Sequence, residues 1–335
     1  MSPERRSDSR LNLSVRVERW PIAGAFTIAR GSRTEATVVV AEVTDGVFRG
    51  TGECTPYPRY GESVEGVAAA IAAMRPALAV GLGRTELQSA MPAGAARNAL
   101  DCALWDFEAK RQGRPAHALA GLAAPKPLVT AYTISLGTPD AMAAAAAAAS
   151  ARPLLKVKLG GDGDAARIRA VRTAAPHAEL IVDANEAWTT DTLEVNLAAC
   201  AEAGVTLIEQ PLPAADDAAL EKVARPIPVC ADESLHDRAS LGRLRGRYDA
   251  INIKLDKAGG LTEALALAQD AAAMGFDLMV GCMVATSLSM APAMLVAQAA
   301  RVVDLDGALL LARDRDHGLT YEGSIVHPAG PALWG

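Results

Sequence analysis

Leu154-Leu155-Lys156-Val157-Lys158, Leu180-Ile181-Val182-Asp183, Val205-Thr206-Leu207-Ile208-Glu209, Pro228-Val229-Cys230-Ala231-Asp232 and Ala250-Ile251-Asn252-Ile253-Lys254 are five short apolar runs, each ending in a charged residue. Apolar runs of this length, bounded by polar or Gly/Pro signals and separated by alanine-rich segments of helical length, read as buried strands of a parallel sheet. Lys158, Asp183, Glu209, Asp232 and Lys254 are spaced 25, 26, 23 and 22 residues apart, close to the length of one strand-helix unit. The rhythm extends back to Thr133 and forward to Gly281 and Asp304, which makes eight strand ends. Units of this size and number close into a TIM-type barrel, whose sites lie at the carboxyl ends of the strands.

Barrel order decides which charged groups meet. Strands three, four and five are neighbours, so Asp183, Glu209 and Asp232 converge. Three carboxylates forced together repel one another, and an all-oxygen set calls for a hard cation such as Mg²⁺, one per subunit. Strands two and six are diametric, so Lys158 and Lys254 face each other across whatever that cation holds. Lys156 points to the same side as Lys158, and a second positive charge beside a metal is expected to depress the lysine pKa. Two bases on opposite faces of one carbon, with Mg²⁺ holding its carboxylate, imply removal of the α-proton from one side, an enediolate, and return of a proton from the other.

The motifs Lys156-Val-Lys158, Asp183-Ala-Asn, Glu209-Gln-Pro-Leu-Pro, Ala231-Asp232-Glu-Ser and Asn252-Ile-Lys254-Leu-Asp-Lys-Ala-Gly-Gly resemble the muconate-lactonising subgroup of the enolase superfamily, over nearly the whole chain. Lysine bases beside Mg²⁺ are a known arrangement in that superfamily. Gly281-Cys282-Met283 lacks the histidine of mandelate-racemase-type members. Asp304-Leu305-Asp306 resembles the Asp-x-Asp signature of dipeptide epimerases, in which the pair receives the substrate's ammonium. An extended dipeptide spans about 7 Å, enough to cross a barrel mouth from the metal to strand eight. Ile28-Ala29-Arg30-Gly31-Ser32-Arg33 is similar to a loop of L-Ala-D/L-Glu epimerases. That resemblance implies that Arg30 meets the glutamate side chain, and Thr133 and Lys156 complete the candidate substrate-binding set.

The resemblance therefore implies a (β/α)7β-type TIM barrel with an N-terminal α+β capping domain, acting as a cytoplasmic Mg²⁺-dependent dipeptide epimerase in cell-wall peptide recycling. Alternatives on the same residues are a muconate cycloisomerase or o-succinylbenzoate synthase, a Schiff-base lyase using Lys158 or Lys254, and a barrel kept as a binding scaffold.

The rest of the chain fits that outline. Its 335 residues suffice for one barrel and a smaller domain. Half the residues are apolar but only 4% are aromatic, so the core must be Ala, Val and Leu. A net charge of −6 without a basic stripe speaks against nucleic acid as a partner. Five scattered cysteines read as reduced and buried. Residues 1–10 are polar, expected to be disordered, and offer no membrane anchor. Residues 11–125 read as the cap: a three-stranded meander with a turn at Thr44-Asp45-Gly46, a loop over Thr55 to Glu62, and two helices, the better one over Gly94 to Gln112. In the resembled family, Phe26 to Arg33 and Thr55 to Glu62 match mobile lid loops. Pro125-Lys-Pro127 opens the barrel at 126–315, and 316–335 is expected to return to the cap. A homo-oligomer is compatible with all of this.

Overall fold

The computed structural model describes residues 10–335, so the expectation for the N-terminal ten falls outside it except at Arg10. The cap starts with an antiparallel meander, β1 (Asn12–Ile28), β2 (Gly31–Thr44) and β3 (Arg49–Cys54). Thr44-Asp45-Gly46 makes the second turn, with the Asp45 carboxylate accepting from Val47 N and Phe48 N. The first turn departs from expectation. Phe26 to Arg33 is a hairpin tip, with Thr27 paired to Ser32 and Ile28 to Gly31 after a register shift between Pro21 and Phe26. The polar, glycine-containing sequence hides that pairing.

Where two helices were expected, four follow, α1 (Val64–Ala72), α2 (Arg75–Ala79), α3 (Arg84–Ala90) and α4 (Ala95–Gln112), and then a single turn, α5 (Ala116–Leu119). The alanine-rich segment offers little punctuation beyond Ser63, which caps α1, and the glycines at 81 and 83. Helix α4 is buried on two faces. Leu100, Ala103, Leu104 and Phe107 pack with the meander, while Cys102 and Trp105 join the barrel's core. Its backbone lies against β3 so closely that a Cβ at Gly52 would sit 2.1 Å from Ala99 O.

The short strand β4 (Leu128–Val129) leads into the barrel. Eight parallel strands follow in sequence order: β5 (Tyr132–Ile134), β6 (Leu154–Lys158), β7 (Glu179–Asp183), β8 (Val205–Glu209), β9 (Val229–Ala231), β10 (Ala250–Ile253), β11 (Asp277–Gly281) and β12 (Val302–Asp304). Ala131 N donates to Val303 O at 2.8 Å and brings the first strand against the last.

Alternation then sorts the side chains. Leu155, Val157, Leu180, Val182, Ile208, Ile251 and Val280 face the helices. Ala131, Leu154, Ile181, Leu207, Cys230, Ala250, Met279 and Val302 form one apolar layer inside the ring. Two residues further along each strand, the inward row becomes Thr133, Lys156, Asp183, Glu209, Asp232, Asn252, Gly281 and Asp304.

The crossovers are α6 (Pro139–Ala148), α7 (Asp164–Ala174), α8 (Thr190–Glu202), a 3₁₀ turn at Asp217–Glu221, α9 (Leu241–Leu244), α10 (Leu255–Ala258) with α11 (Leu261–Ala273), and α12 (Ser287–Ala297). No eighth helix follows β12, so the barrel is of the (β/α)7β type. The end of the chain adds β13 (Tyr321–Glu322) and β14 (Ile325–Val326) to β4. It then docks on the cap, where Trp334 Nε1 donates to Cys102 O and Gly335 N to Asp106.

Cap and barrel share buried contacts. Arg97 on α4 donates to Ala258 O and Gly259 O, and Thr262 donates to Asp101 through both its N and its Oγ1. Gly260 has φ +114°, and a Cβ there would meet the Asp101 side chain at 2.5 Å, which accounts for the Gly-Gly that ends the Lys254 motif. Gly52→Ala is expected to lower stability by about 3 kcal/mol, since neither β3 nor α4 can retreat from the other, and a thermal melt measures the loss.

Candidate active site

Four of the ring's inward row, Thr133, Lys156, Asp232 and Asp304, reach a cavity of about 890 Å³ including its mouth. Its lining includes Thr133, Lys156, Lys158, Asp232, Lys254, Asp304 and Asp306 from the barrel, and Phe26, Arg30, Arg33, Tyr57 and Tyr60 from the cap. The size suits a small molecule.

Asp183, Glu209 and Asp232 end neighbouring strands, with Asp183 and Glu209 in direct register. All three are at most 2% exposed, and one carboxylate oxygen from each lies within 4.8 Å of the others. Among the described residues this is the one such set. Each carboxylate is steered by a neighbour. Asn185 N and Nδ2 donate to Asp183 at 2.9 and 3.2 Å, and Asn252 Nδ2 donates to Glu209 Oε1 at 2.8 Å. Lys257 Nζ holds Asp232 Oδ1 at 2.5 Å. The Gln210 side-chain Oε1 accepts from Asp232 N and Ser234 N, which ties the strand of Glu209 to the strand of Asp232.

Electrostatics shows the strain of this crowding. Burial and then the Asp183 charge push Glu209 up to about 7. Asp183 and Asp232 are held below the usual carboxylate range, because the lysines around them outweigh burial. One carboxylate of the three keeps its proton near neutrality, so the set fits a hard divalent ion better than it fits protons and amines alone.

The lysines sit where barrel order puts them. Lys158 Nζ is 2.6 Å from Asp183 Oδ2, and Lys254 Nζ is 2.7 Å from Asp232 Oδ2, on strands four places apart with the three acids between. Lys156 Nζ lies 2.6 Å from Glu209 Oε2, 2.7 Å from Asp304 Oδ2 and 3.3 Å from Asp183. Burial opposes the charge of Lys156 and Lys254, but the carboxylates win and hold both well above the ordinary lysine value.

On the opposite wall Asp304 and Asp306 are both buried, and Asp304 Oδ1 has no hydrogen-bond partner. Asp306 accepts from Thr133 N at 2.7 Å, and burial together with the Asp304 charge raises it to about 7. Thr133 thus reaches this site through its backbone N as well as by lining the cavity.

The cap supplies the roof. The Phe26 ring lies 5.8 Å from Lys158 Nζ, and Tyr60 packs edge-on against His236. Arg30 lines the cavity, but its terminal nitrogens are engaged by Asn185 O, Glu186, Tyr57 OH and Glu233. Arg33 lines the same cavity, 5.4 Å from the Tyr57 ring centroid, with no carboxylate partner among the described residues. Sequence reasoning passed over Arg33, Glu233, Glu186, Asn252 and Lys257. All but Glu186 lie inside the quoted motifs and Glu186 directly follows one, but only contacts between segments show what they do.

With this geometry in view, residues 10–121 match the mandelate racemase/muconate lactonizing enzyme N-terminal domain, and residues 140–331 match the enolase C-terminal domain-like family. The chain belongs to the mandelate racemase/muconate lactonizing enzyme family. Within that family it is 51% identical to the L-Ala-D/L-Glu epimerase of Escherichia coli, over 92% of this chain and 97% of the relative. It is 47% identical to the N-acetyl-D-glutamate racemase of a Pseudoalteromonas species, over 89% and 95%. Among solved structures, an enolase family member from Agrobacterium tumefaciens with homology to dipeptide epimerases, bound to sodium and L-Ala-L-Glu, superposes with a TM-score of 0.96 at 58% identity, covering 97% of this chain and all of that one. The dipeptide epimerase of Enterococcus faecalis, complexed with Mg and L-Leu-L-Tyr, superposes at 0.88 with 28% identity, over 97% and 100%. This mandelate racemase/muconate lactonizing enzyme family member is an isomerase of the dipeptide epimerase branch, and Mg is the ion in the structures of the dipeptide epimerases from Enterococcus faecalis, Cytophaga hutchinsonii and Methylococcus capsulatus.

The Glu209 proton gives a direct test. Mg²⁺ binding should release a proton near pH 6 and weaken by up to about tenfold per pH unit below about 7. Titration calorimetry in buffers of different ionisation enthalpy reads both quantities, and an affinity that is flat from pH 6 to 8 contradicts the assignment.

Proposed function

We propose that the protein is a Mg²⁺-dependent epimerase of L-Ala-D-Glu and L-Ala-L-Glu, inverting the α-carbon of the C-terminal residue by two-base proton transfer. The observation that carries this reading is the placement of Lys158 and Lys254 on either side of the three acids, under a roof bearing an uncommitted arginine. Asp183, Glu209 and Asp232 would hold the Mg²⁺, which supplies positive charge to the substrate carboxylate and makes the neighbouring C–H acidic.

Lys158 and Lys254 then divide the work by face. One takes the α-proton of the L-epimer and the other that of the D-epimer, and each delivers a proton when the opposite epimer reacts. Lys156 stays between Glu209 and Asp304 and balances charge there. Asp304 and Asp306 receive the ammonium at the far wall, a dipeptide's length from the reacting carbon. The phenyl ring of Phe26 covers Lys158 and limits water around it.

The acidic side chain goes to the lid arginines. Arg33 is the better receiver, because Arg30 already carries Glu233 and Tyr57. A charge-assisted contact of this kind contributes about 1.5 to 3 kcal/mol, or roughly 10- to 100-fold in affinity. Recycling of cell-wall peptides is the physiological role that such a substrate suggests.

One observation favours a second substrate. N-acetylglutamate keeps the α-carboxylate, the amide and the acidic side chain but has no ammonium, and Lys156 already balances Asp304 at 2.7 Å. The cycloisomerase and o-succinylbenzoate synthase readings gain no such support, since the two relatives named above are an epimerase and a racemase. A Schiff-base lyase would use one lysine as nucleophile and leave the three acids and the second lysine without a role.

A library of dipeptides, with N-acetylglutamate included, incubated in deuterium oxide with Mg²⁺ tests the whole assignment. Label should enter the C-terminal residue of substrates that end in Glu. Lys158→Ala should stop exchange from one epimer and Lys254→Ala from the other, whereas equal residual exchange in either variant refutes the two-base scheme. Arg33→Met should reduce kcat/KM for acidic C-terminal residues by about 10- to 100-fold while sparing neutral ones. A loss shared equally by acidic and neutral substrates would remove Arg33 from the specificity site.

A further inference from the structure

Directly after Asp183, Asn185 and Glu186 have left-handed backbones, with φ of 45° and 68°. A residue with a Cβ adopts that region at a cost, and it persists where neighbours hold it in place. Here many of the holders come from the cap. Arg30 Nη1 donates to Asn185 O at 2.8 Å. Arg59, on the second cap loop, grips the Glu186 carboxylate with two bonds of 2.8 Å each. The barrel completes the seat, with Ala214 N donating to Glu186 Oε1 and Glu186 N donating to Gln210 O, both at 2.9 Å.

The same turn orients the acids. Asn185 presents its backbone N and its side-chain amide to the two oxygens of Asp183. Arg30 Nη2 reaches Glu233, the neighbour of Asp232, at 2.7 Å, and Asn185 Nδ2 lies 3.4 Å from the same oxygen. An unbroken series of polar contacts therefore runs from both cap loops, through Asn185 and Glu186, to the carboxylates. Neither Glu186 nor Arg59 lines the cavity.

We propose that Glu186 is a positioning residue, the seat on which the two cap loops close, and that closure there sets the Asp183 carboxylate for the cation. This rests on the metal site proposed above. Because coupling between two equilibria is reciprocal, loop closure tightens cation binding and cation binding tightens closure.

The test uses the full chain and Mg²⁺ alone, without substrate. Glu186→Gln keeps the shape and removes the charge, while Arg59→Met changes only an exposed loop residue; thermal melts in EDTA establish that each variant folds. Each should raise the Mg²⁺ Kd by about 3- to 10-fold, and the double variant should be no weaker than the worse single one, because both remove the same contact. Mg²⁺ should also slow tryptic cleavage after Arg33 in the wild type and not in Glu186→Gln. An unchanged Kd in both single variants, or losses that simply add, overturns the proposal. Asp183→Asn is the control: if it retains full Mg²⁺ affinity, the metal assignment fails and not the coupling alone.

Discussion

Like-charge crowding at the carboxyl end of three adjacent strands is the constraint to which the remainder of this molecule answers. Parallel strands in register bring Asp183 beside Glu209 with no freedom to separate, and Asp232 follows one strand on. Such a cluster, taken out of water, is tolerable only when positive charge surrounds it. Lys156, Lys158, Lys254 and Lys257 provide that charge from the floor, and Arg30 provides it from above through Glu233. The groups that make the site stable are largely the groups that make it reactive.

Much of this could be read from the sequence because a barrel is periodic. Five strand-end charges at intervals of one strand-helix unit locate the floor of the site, and the observed strands at Leu154–Lys158 and Val205–Glu209 coincide with the apolar runs. The inward row follows from alternation alone, so the meeting of Asp183, Glu209 and Asp232 is legible before any coordinate is known. The (β/α)7β form and the cap also follow from the family resemblance.

What was not legible lies in contacts between segments far apart in the chain. Arg30 meets Glu233 across 203 residues and Arg59 meets Glu186 across 127, and neither pairing leaves a periodic trace. The hairpin at Phe26 to Arg33 was hidden for another reason: its tip is polar and glycine-containing, so nothing in the pattern separates paired strand from loop. The number of carboxylates within reach of Lys156 was not legible either, because it depends on side-chain directions. Asp304, two strands away through the closure of the ring, adds to the two strand-end acids on the other side of Lys156.

Helix α4 belongs to two hydrophobic cores at once, with Phe107 in one and Trp105 in the other. The roof is thus part of the masonry, and it cannot swing away as a body without opening the barrel wall behind it. Only the hairpin tip and the Tyr57 loop are left as shutters. A protein built this way can change its diet by redrawing two short edges while its chemistry stays untouched beneath, which makes exchange of those edges between relatives the natural route to new selectivity.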